Sequence, residues 1–256
     1  MERVCYSVNG RQILHDFDLF LEPGLNRTIL GVSGVGKTTI LKLLLGLLPV
    51  QAGRITIDGY DIAGLKQRDL IRVRKKIAIV FQGGALFDSM TVGENVGYRL
   101  FEEGNLSQEE IERIVLEKLG FVGLERTIDL YPAELSGGMK KRVAIARALA
   151  SEPDYIFFDE PTTGLDPIGV YNICHLMLRL QTEGKTTLMV THDMDTAFKV
   201  SQRFSFLHNA RLVFDGTKKE LLEFPAVETQ EFFSPSAKSL FVNSTPEKVM
   251  EHETKR

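Results

Sequence analysis

The feature that most constrains this chain is the run Gly31-Val-Ser-Gly-Val-Gly-Lys37-Thr38, which satisfies G-x-x-x-x-G-K-[ST]. A β-branched and aliphatic segment, 28–32, leads into it, and a segment with helical apolar spacing, 38–48, follows. Strand, glycine loop, helix is the order that phosphate-binding α/β folds use. Gly31, Gly34 and Gly36 let the backbone turn its N–H groups inward around phosphate oxygens, with Ser33 and Thr39 inside and beside the cradle. The helix start near Lys37 adds a positive dipole end. The Lys37 ammonium is expected to reach the β- and γ-phosphates, and the Thr38 hydroxyl to ligate Mg²⁺. Alone, this run implies a nucleoside triphosphate and nothing finer.

A second run supplies what hydrolysis needs. Tyr155-Ile-Phe-Phe158-Asp159-Glu160 is a hydrophobic strand that ends in two carboxylates. A buried strand of a parallel sheet delivers its last residues to the same carboxyl edge as the phosphate loop. Asp159 is then expected to hold Mg²⁺, and Glu160, one residue further on, to polarise an attacking water. A positioned general base is worth roughly 10²–10⁴ in rate.

The rest of the chain sets limits on partners. Its 31 basic and 34 acidic residues leave a net charge of −3, so nothing points to a nucleic-acid surface. The densest apolar stretch, 40–48, is interrupted by Lys42 and Gly46 and is far shorter than the ~20 residues of a spanning helix. Action on a membrane would therefore require a partner. The two cysteines, Cys5 and Cys174, are far apart in sequence and lack metal-ligand spacing, so both are expected as reduced thiols.

Along the chain, 3–8 and 13–21 read as strands about an Asn9-Gly10 turn, and 54–58 as a further strand. A basic helix over 66–76 leads into a buried strand, 77–81. Between about 85 and 151 the pattern becomes helical (91–102, 107–119, 138–150), and Ser107 with Glu110 forms a capping box. Strands return at 155–158, 186–190, 203–207 and 211–214, and a short helix over 217–224 closes the domain. The expected organisation is one domain over 1–222 with a helical insertion, and a tail, 223–256, that is loosely ordered or docks through Phe232, Phe233 and Phe241.

Between the two catalytic runs stands Leu135-Ser136-Gly137-Gly138-Met139-Lys140-Lys141-Arg142. A serine and two glycines opening a helix make a second anion site from free N–H groups and the dipole. In this order the run resembles the LSGGQ signature of ABC ATPases, in an LSGGM variant. The resemblance covers residues 1 to about 222 and implies a P-loop, RecA-like parallel-sheet core with an N-terminal antiparallel β subdomain and an inserted helical signature subdomain. It implies that Ser136, Gly137 and Gly138 complete the ATP pocket of a second copy. It also implies that Gln82 contacts Mg²⁺ and senses a transmembrane partner, that Asp166 in Pro161-Thr-Thr-Gly-Leu165-Asp166-Pro167 lies across the dimer interface, and that His192 contacts the γ-phosphate. The position at which such domains stack adenine falls on Val8, and Tyr6, two residues earlier on the same strand face, is the expected aromatic substitute.

Phe81-Gln82-Gly-Gly-Ala-Leu-Phe87-Asp88-Ser-Met-Thr-Val92-Gly-Glu94-Asn95-Val96 is similar to the ATPases of MCE-associated, Mla-type phospholipid transporters, and so are the methionine of the signature and Asp166-Pro167-Ile168. This implies a homodimer bound to a permease dimer at the cytoplasmic face of the inner membrane, an MCE-domain lipid-binding protein in the same complex, and phospholipid as cargo. Ala85, Leu86, Phe87 and Met90 are the expected apolar socket for a permease helix. A solute importer or drug exporter subunit shares every catalytic run and stays open as an alternative. A soluble ABC protein acting on ribosomes or DNA fits less well: the chain has one cassette, and only about a hundred residues separate Lys37 from Ser136.

Overall fold

The structure, a computed structural model, describes residues 1–224. The expected tail aromatics Phe232, Phe233 and Phe241 lie outside the described residues.

Strands β1 (Glu2–Val8) and β2 (Arg11–Phe17) form an antiparallel hairpin. β2 stops short of the expected 21, although Leu19 still accepts from the chain's amino group and donates to the Met1 carbonyl. The fully buried β3 (Asn26–Leu30) runs through the glycine loop into α1 (Lys37–Leu44). That helix ends before the expected 48 because Gly46, at φ 64°, leaves the helical region and its N–H turns back to Leu43. The stretch 54–58 is divided: β4 (Ala52–Arg54) pairs with β1, and β5 (Thr56–Ile57) pairs with β6 (Tyr60–Asp61). Between them Ile55 turns into the core, and its carbonyl accepts from Ile62.

After α2 (Gln67–Lys75) and β7 (Ile77–Val80) come three helices, α3 (Val92–Glu103), α4 (Gln108–Phe121) and α5 (Gly137–Leu149), which pack on one another. Thr91 with Glu94, and Ser107 with Glu110, close full capping boxes on α3 and α4, each worth about 1 kcal/mol. The chain then alternates through β8 (Tyr155–Asp159), α6 (Pro167–Thr182), β9 (Thr186–Thr191), α7 (Met194–Val200) and β10 (Arg203–His208). It closes with β11 (Arg211–Thr217) and α8 (Lys218–Glu223).

The central sheet has six strands in the order β11-β10-β3-β9-β8-β7. All neighbouring pairs are parallel except β10 with β11. Successive residues of β8 feed opposite sides of this sheet. Phe157 packs into the core beneath α1 and the N-terminal strands, whereas Ile156 and Phe158 pack into the core shared with α3–α7. Each buried phenylalanine contributes about 1.5–3 kcal/mol, so the strand that carries the two carboxylates is anchored on both faces. No helix among the described residues is long and apolar enough to cross a membrane.

Candidate functional site: a phosphate cradle and a separate signature groove

The loop after β3 is shaped by its glycines. Gly36 sits at φ 115°, and a Cβ there would lie 2.6 Å from the Ile13 side chain. A Cβ on Gly31 would lie 2.7 Å from the Leu207 carbonyl. The loop thus nests between the β1–β2 hairpin and β10, with the first amides of α1 facing into it. Lys37 is buried; its ammonium donates to the carbonyls of Gly31 (2.7 Å) and Val32 (3.2 Å) and lies 3.4 Å from Glu160 Oε1. Burial lowers its pKa below the ordinary lysine value, against the opposing pull of the Glu160 carboxylate.

The parallel register brings β3, β8 and β9 to one carboxyl edge, and the site residues meet there. The Thr38 hydroxyl lies 3.0 Å from both oxygens of Asp159, so two of the three residues expected at Mg²⁺ already converge. Burial raises the Asp159 pKa; the Thr38 hydrogen bond opposes the shift and the neighbouring Glu160 charge adds to it. A divalent cation would relieve that desolvation, and a hydroxyl with a carboxylate is a hard-oxygen donor pair suited to Mg²⁺.

Glu160 is held on both oxygens. Oε1 lies 3.0 Å from His192 Nδ1, while Oε2 accepts from the hydroxyls of Thr191 (2.9 Å) and Thr163 (3.3 Å). Burial alone would raise its pKa, but the hydrogen bonds from His192 and Thr191 and the charge of Lys37 outweigh it and hold the carboxyl below the usual range. Its backbone sits at φ 49°, left-handed for a residue with a Cβ, and its N–H donates to Val190 at 3.0 Å. That conformation costs roughly 1–2 kcal/mol, and the fixed ladder around it sustains the strain. A carboxylate so immobilised suits proton abstraction from a positioned water.

Two contributors were not foreseen as site residues. Buried Lys141 on α5 donates to the Thr163 carbonyl at 2.6 Å and reaches the Glu160 carbonyl at 3.5 Å, tying the signature helix to the turn after β8. Thr191 is fully buried; besides gripping Glu160, its hydroxyl accepts from the Asp193 N–H at 3.0 Å. Lys141 stands inside the signature run and Thr191 directly precedes His192, but only the fold shows where their polar ends point.

Ser136, Gly137 and Gly138 lie elsewhere. Ser136 caps α5 by accepting from Met139 N–H, and Asp166 caps α6 by accepting from Gly169 N–H at 2.7 Å. Together they line a groove of about 400 Å³ that includes no residue of the phosphate loop. Beside it, on α6, Ile168 and Tyr171 are 72% and 69% exposed. Gln82 is exposed beyond the end of β7, and no hydrogen bond joins it to Thr38 or Asp159.

The expectation for Tyr6 is corrected. Tyr6 is only 7% exposed and packs into the core beneath the N-terminal strands, opposite the fully buried Leu14. Tyr6 and Val8 alternate onto one side of β1, but Val8, at the open end of the hairpin, is 44% exposed while Tyr6 is covered. Tyr6 has no free ring face to offer a base.

The segment expected to receive a permease helix is pinned rather than loose. Buried Asn95 accepts from the Phe87 N–H and donates to the carbonyls of Phe87, Met90 and Thr91. Arg147 donates to the carbonyls of Gly84 and Ala85 and lies over the Phe87 ring. Ala85 and Phe87 stay exposed beside a groove of about 350 Å³, while Leu86 packs inward against the helical core.

Comparison with known proteins agrees with this geometry. The ABC transporter family matches residues 14–163. The chain is 37% identical over 233 residues to the intermembrane phospholipid transport system ATP-binding protein MlaF of Haemophilus influenzae, covering 91% of this chain and 88% of that protein. It is 38% identical over 235 residues to the methionine import ATP-binding protein MetN of Xanthomonas axonopodis pv. citri, covering 91% of this chain and 70% of that one. Among solved structures, the dimeric post-hydrolysis state of the ATP-binding cassette MJ0796 bound to ADP and Pi aligns with a TM-score of 0.77 and 33% identity, over 84% of this chain and 97% of that one. Cradle, carboxylate pair, signature groove and relatives agree: the chain belongs to the ABC transporter family, as an ATP-hydrolysing ABC ATPase subunit.

Proposed function

We propose that this subunit powers phospholipid transport, working as a homodimer on the cytoplasmic face of the inner membrane beneath a permease dimer, with an MCE-domain lipid-binding protein in the same complex. The observation that carries the lipid reading is the likeness to MlaF across 91% of the chain. The similar identity to MetN keeps a solute importer as the second reading.

In this proposal the loop amides and Lys37 bind the triphosphate of one ATP, and the Ser136–Gly138 helix start of the second copy covers it. Thr38 and Asp159, with Gln82 from its loop, would hold Mg²⁺, which when bound would supply charge neutralisation to the triphosphate. Glu160 takes a proton from the attacking water, and His192, hydrogen-bonded to that carboxylate, orients it and contacts the γ-phosphate. Asp166 borders the covering groove, and the Ala85–Phe87 surface receives the permease. No nucleic acid takes part.

Affinity isolation from detergent-solubilised native membranes, with protein and lipid mass spectrometry of the eluate, tests the cargo. A multi-span permease with an MCE-domain protein and bound phospholipid is the expected result. A permease accompanied by a solute-binding protein would overturn the lipid reading and leave the ATPase assignment standing.

A further inference from the structure

We propose that Cys5, His15 and Asp16 form a binding site for a thiophilic divalent transition metal, Zn²⁺ foremost, across the β1–β2 hairpin. The site stands apart from the ATPase machinery and depends on a bulge. Val4 pairs with Phe17 and Tyr6 with Leu14, so between these pairs two residues of β2, His15 and Asp16, oppose the single Cys5 of β1. Consecutive strand residues ordinarily point to opposite faces. Here Asp16 adopts φ 45°, and the bulge re-aims its side chain to the side of Cys5 and His15.

Three different donor types result. Cys5 Sγ lies 3.9 Å from His15 Nδ1 and 3.7 Å from Asp16 Oδ1, and one ligand atom from each residue lies within 4.8 Å of the others. Zinc bonds of about 2.0–2.3 Å to S, N and O in a tetrahedron require ligand atoms roughly 3.3–3.6 Å apart. The thiol lies a few tenths of an ångström beyond that spacing from each partner; His15 turns Nδ1 to Cys5 and Nε2 to Asp16 Oδ2 at 3.8 Å, so closing a facial set takes a side-chain rotation of His15 or Asp16. Cys5 and His15 are partly buried and Asp16 is exposed, which leaves the fourth position to water. The Asp16 N–H also donates to Cys5 Sγ at 3.3 Å, which helps to fix the sulfur's position in the bulge. Loading is a ligand exchange: the Cys5 thiol releases its proton to solvent, and the metal loses waters to thiolate, imidazole and carboxylate.

The donor set separates this site from the Thr38–Asp159 pair. Oxygen donors suit Mg²⁺, whereas a thiolate with an imidazole selects zinc or cobalt and rejects magnesium. The hairpin it would clamp also supplies Ile13, the residue that Gly36 of the phosphate loop packs against. Metal loading is thus expected to stiffen the wall of the cradle without entering the chemistry.

The test uses the full chain, reduced and without nucleotide, with Co²⁺ as the spectroscopic probe. A thiolate-to-cobalt charge-transfer band that disappears on adding Zn²⁺ and persists in excess Mg²⁺ is expected. The band is lost in Cys5→Ser, weakened at least tenfold in apparent affinity in His15→Gln, and retained in Cys174→Ala. Zn²⁺ raises the melting temperature of the wild type by a few degrees but not that of Cys5→Ser. No band in the wild type, a band that survives Cys5→Ser, or displacement by Mg²⁺ would each overturn the proposal. The His15→Gln variant keeps it falsifiable should Cys5→Ser fail to fold.

Discussion

The phosphate cradle and the signature groove are built from the same local device, a helix N-terminus opened by small residues, yet they are finished to different degrees. Around the cradle, polar groups already interlock: Lys37, Thr38, Asp159, Glu160, Thr191 and His192 are joined by contacts of 2.9–3.4 Å. In the groove, Ser136 and Asp166 do no more than cap their own helices, and Ile168 and Tyr171 stand exposed beside them. In the proposed function the first region is the catalytic centre of one chain, and the second is one wall of a site that a second copy completes. Lys141, on the helix that Ser136 caps, links the two regions through its hydrogen bonds to the Glu160 and Thr163 carbonyls.

The contrast is sharpest where chemistry should fail and binding survive. Glu160→Gln removes the proton acceptor and keeps its shape, so turnover should fall by roughly 10²–10⁴, with nucleotide affinity retained; single-turnover hydrolysis alongside equilibrium binding checks both. Gly138→Asp acts on the other region. Its Cβ would find only the Gly169 backbone at 4.0 Å, and an acidic residue in the first turn suits a helix, so the fold should tolerate it. The new charge faces the expected triphosphate of a second copy, and steady-state turnover should drop by roughly 10² or more, while binding to the isolated chain is unchanged. If affinity in the isolated chain fell instead, the groove would belong to the same chain's pocket.

Smaller effects refine the cradle. Thr191→Val deletes one hydrogen bond to Glu160, worth about 1 kcal/mol, and should slow hydrolysis about fivefold to tenfold; Thr191→Ser should restore it. A loss in Thr191→Ser as large as that in Thr191→Val would contradict a role carried by the hydroxyl alone. The least effect belongs to the base. Val8→Phe offers a ring where the wild type has an exposed aliphatic, and a gain of about 0.5–1.5 kcal/mol in nucleotide affinity is expected by calorimetry. No gain would place the base contact away from this strand.

How far the sequence reaches follows from how local each device is. Glycine positions, helix starts and strand-end carboxylates are short-range patterns, and Gly31–Thr38, Ser136–Gly138 and Asp159-Glu160 stand at the strand ends and helix starts that their spacing implies. The end of α1 at Gly46 was legible in principle, since the glycine is there to be read; apolar spacing through 48 masked it. Tyr6 failed for a different reason. Strand alternation assigns a side, whereas coverage of that side depends on how far the hairpin overhangs the core. Thr191, Lys141 and the Cys5–His15–Asp16 bulge depend on register across strands and on packing between distant segments, which no window of sequence contains.

The central claim is that the open groove is completed by a second copy and by nucleotide. Size-exclusion chromatography with light scattering on Glu160→Gln, with and without MgATP, tests it most directly, with the Glu160→Gln, Gly138→Asp double variant as control. The account expects a dimer only with MgATP and only in the single variant. A Glu160→Gln chain that binds MgATP and stays monomeric, or a double variant that dimerises equally well, would contradict it.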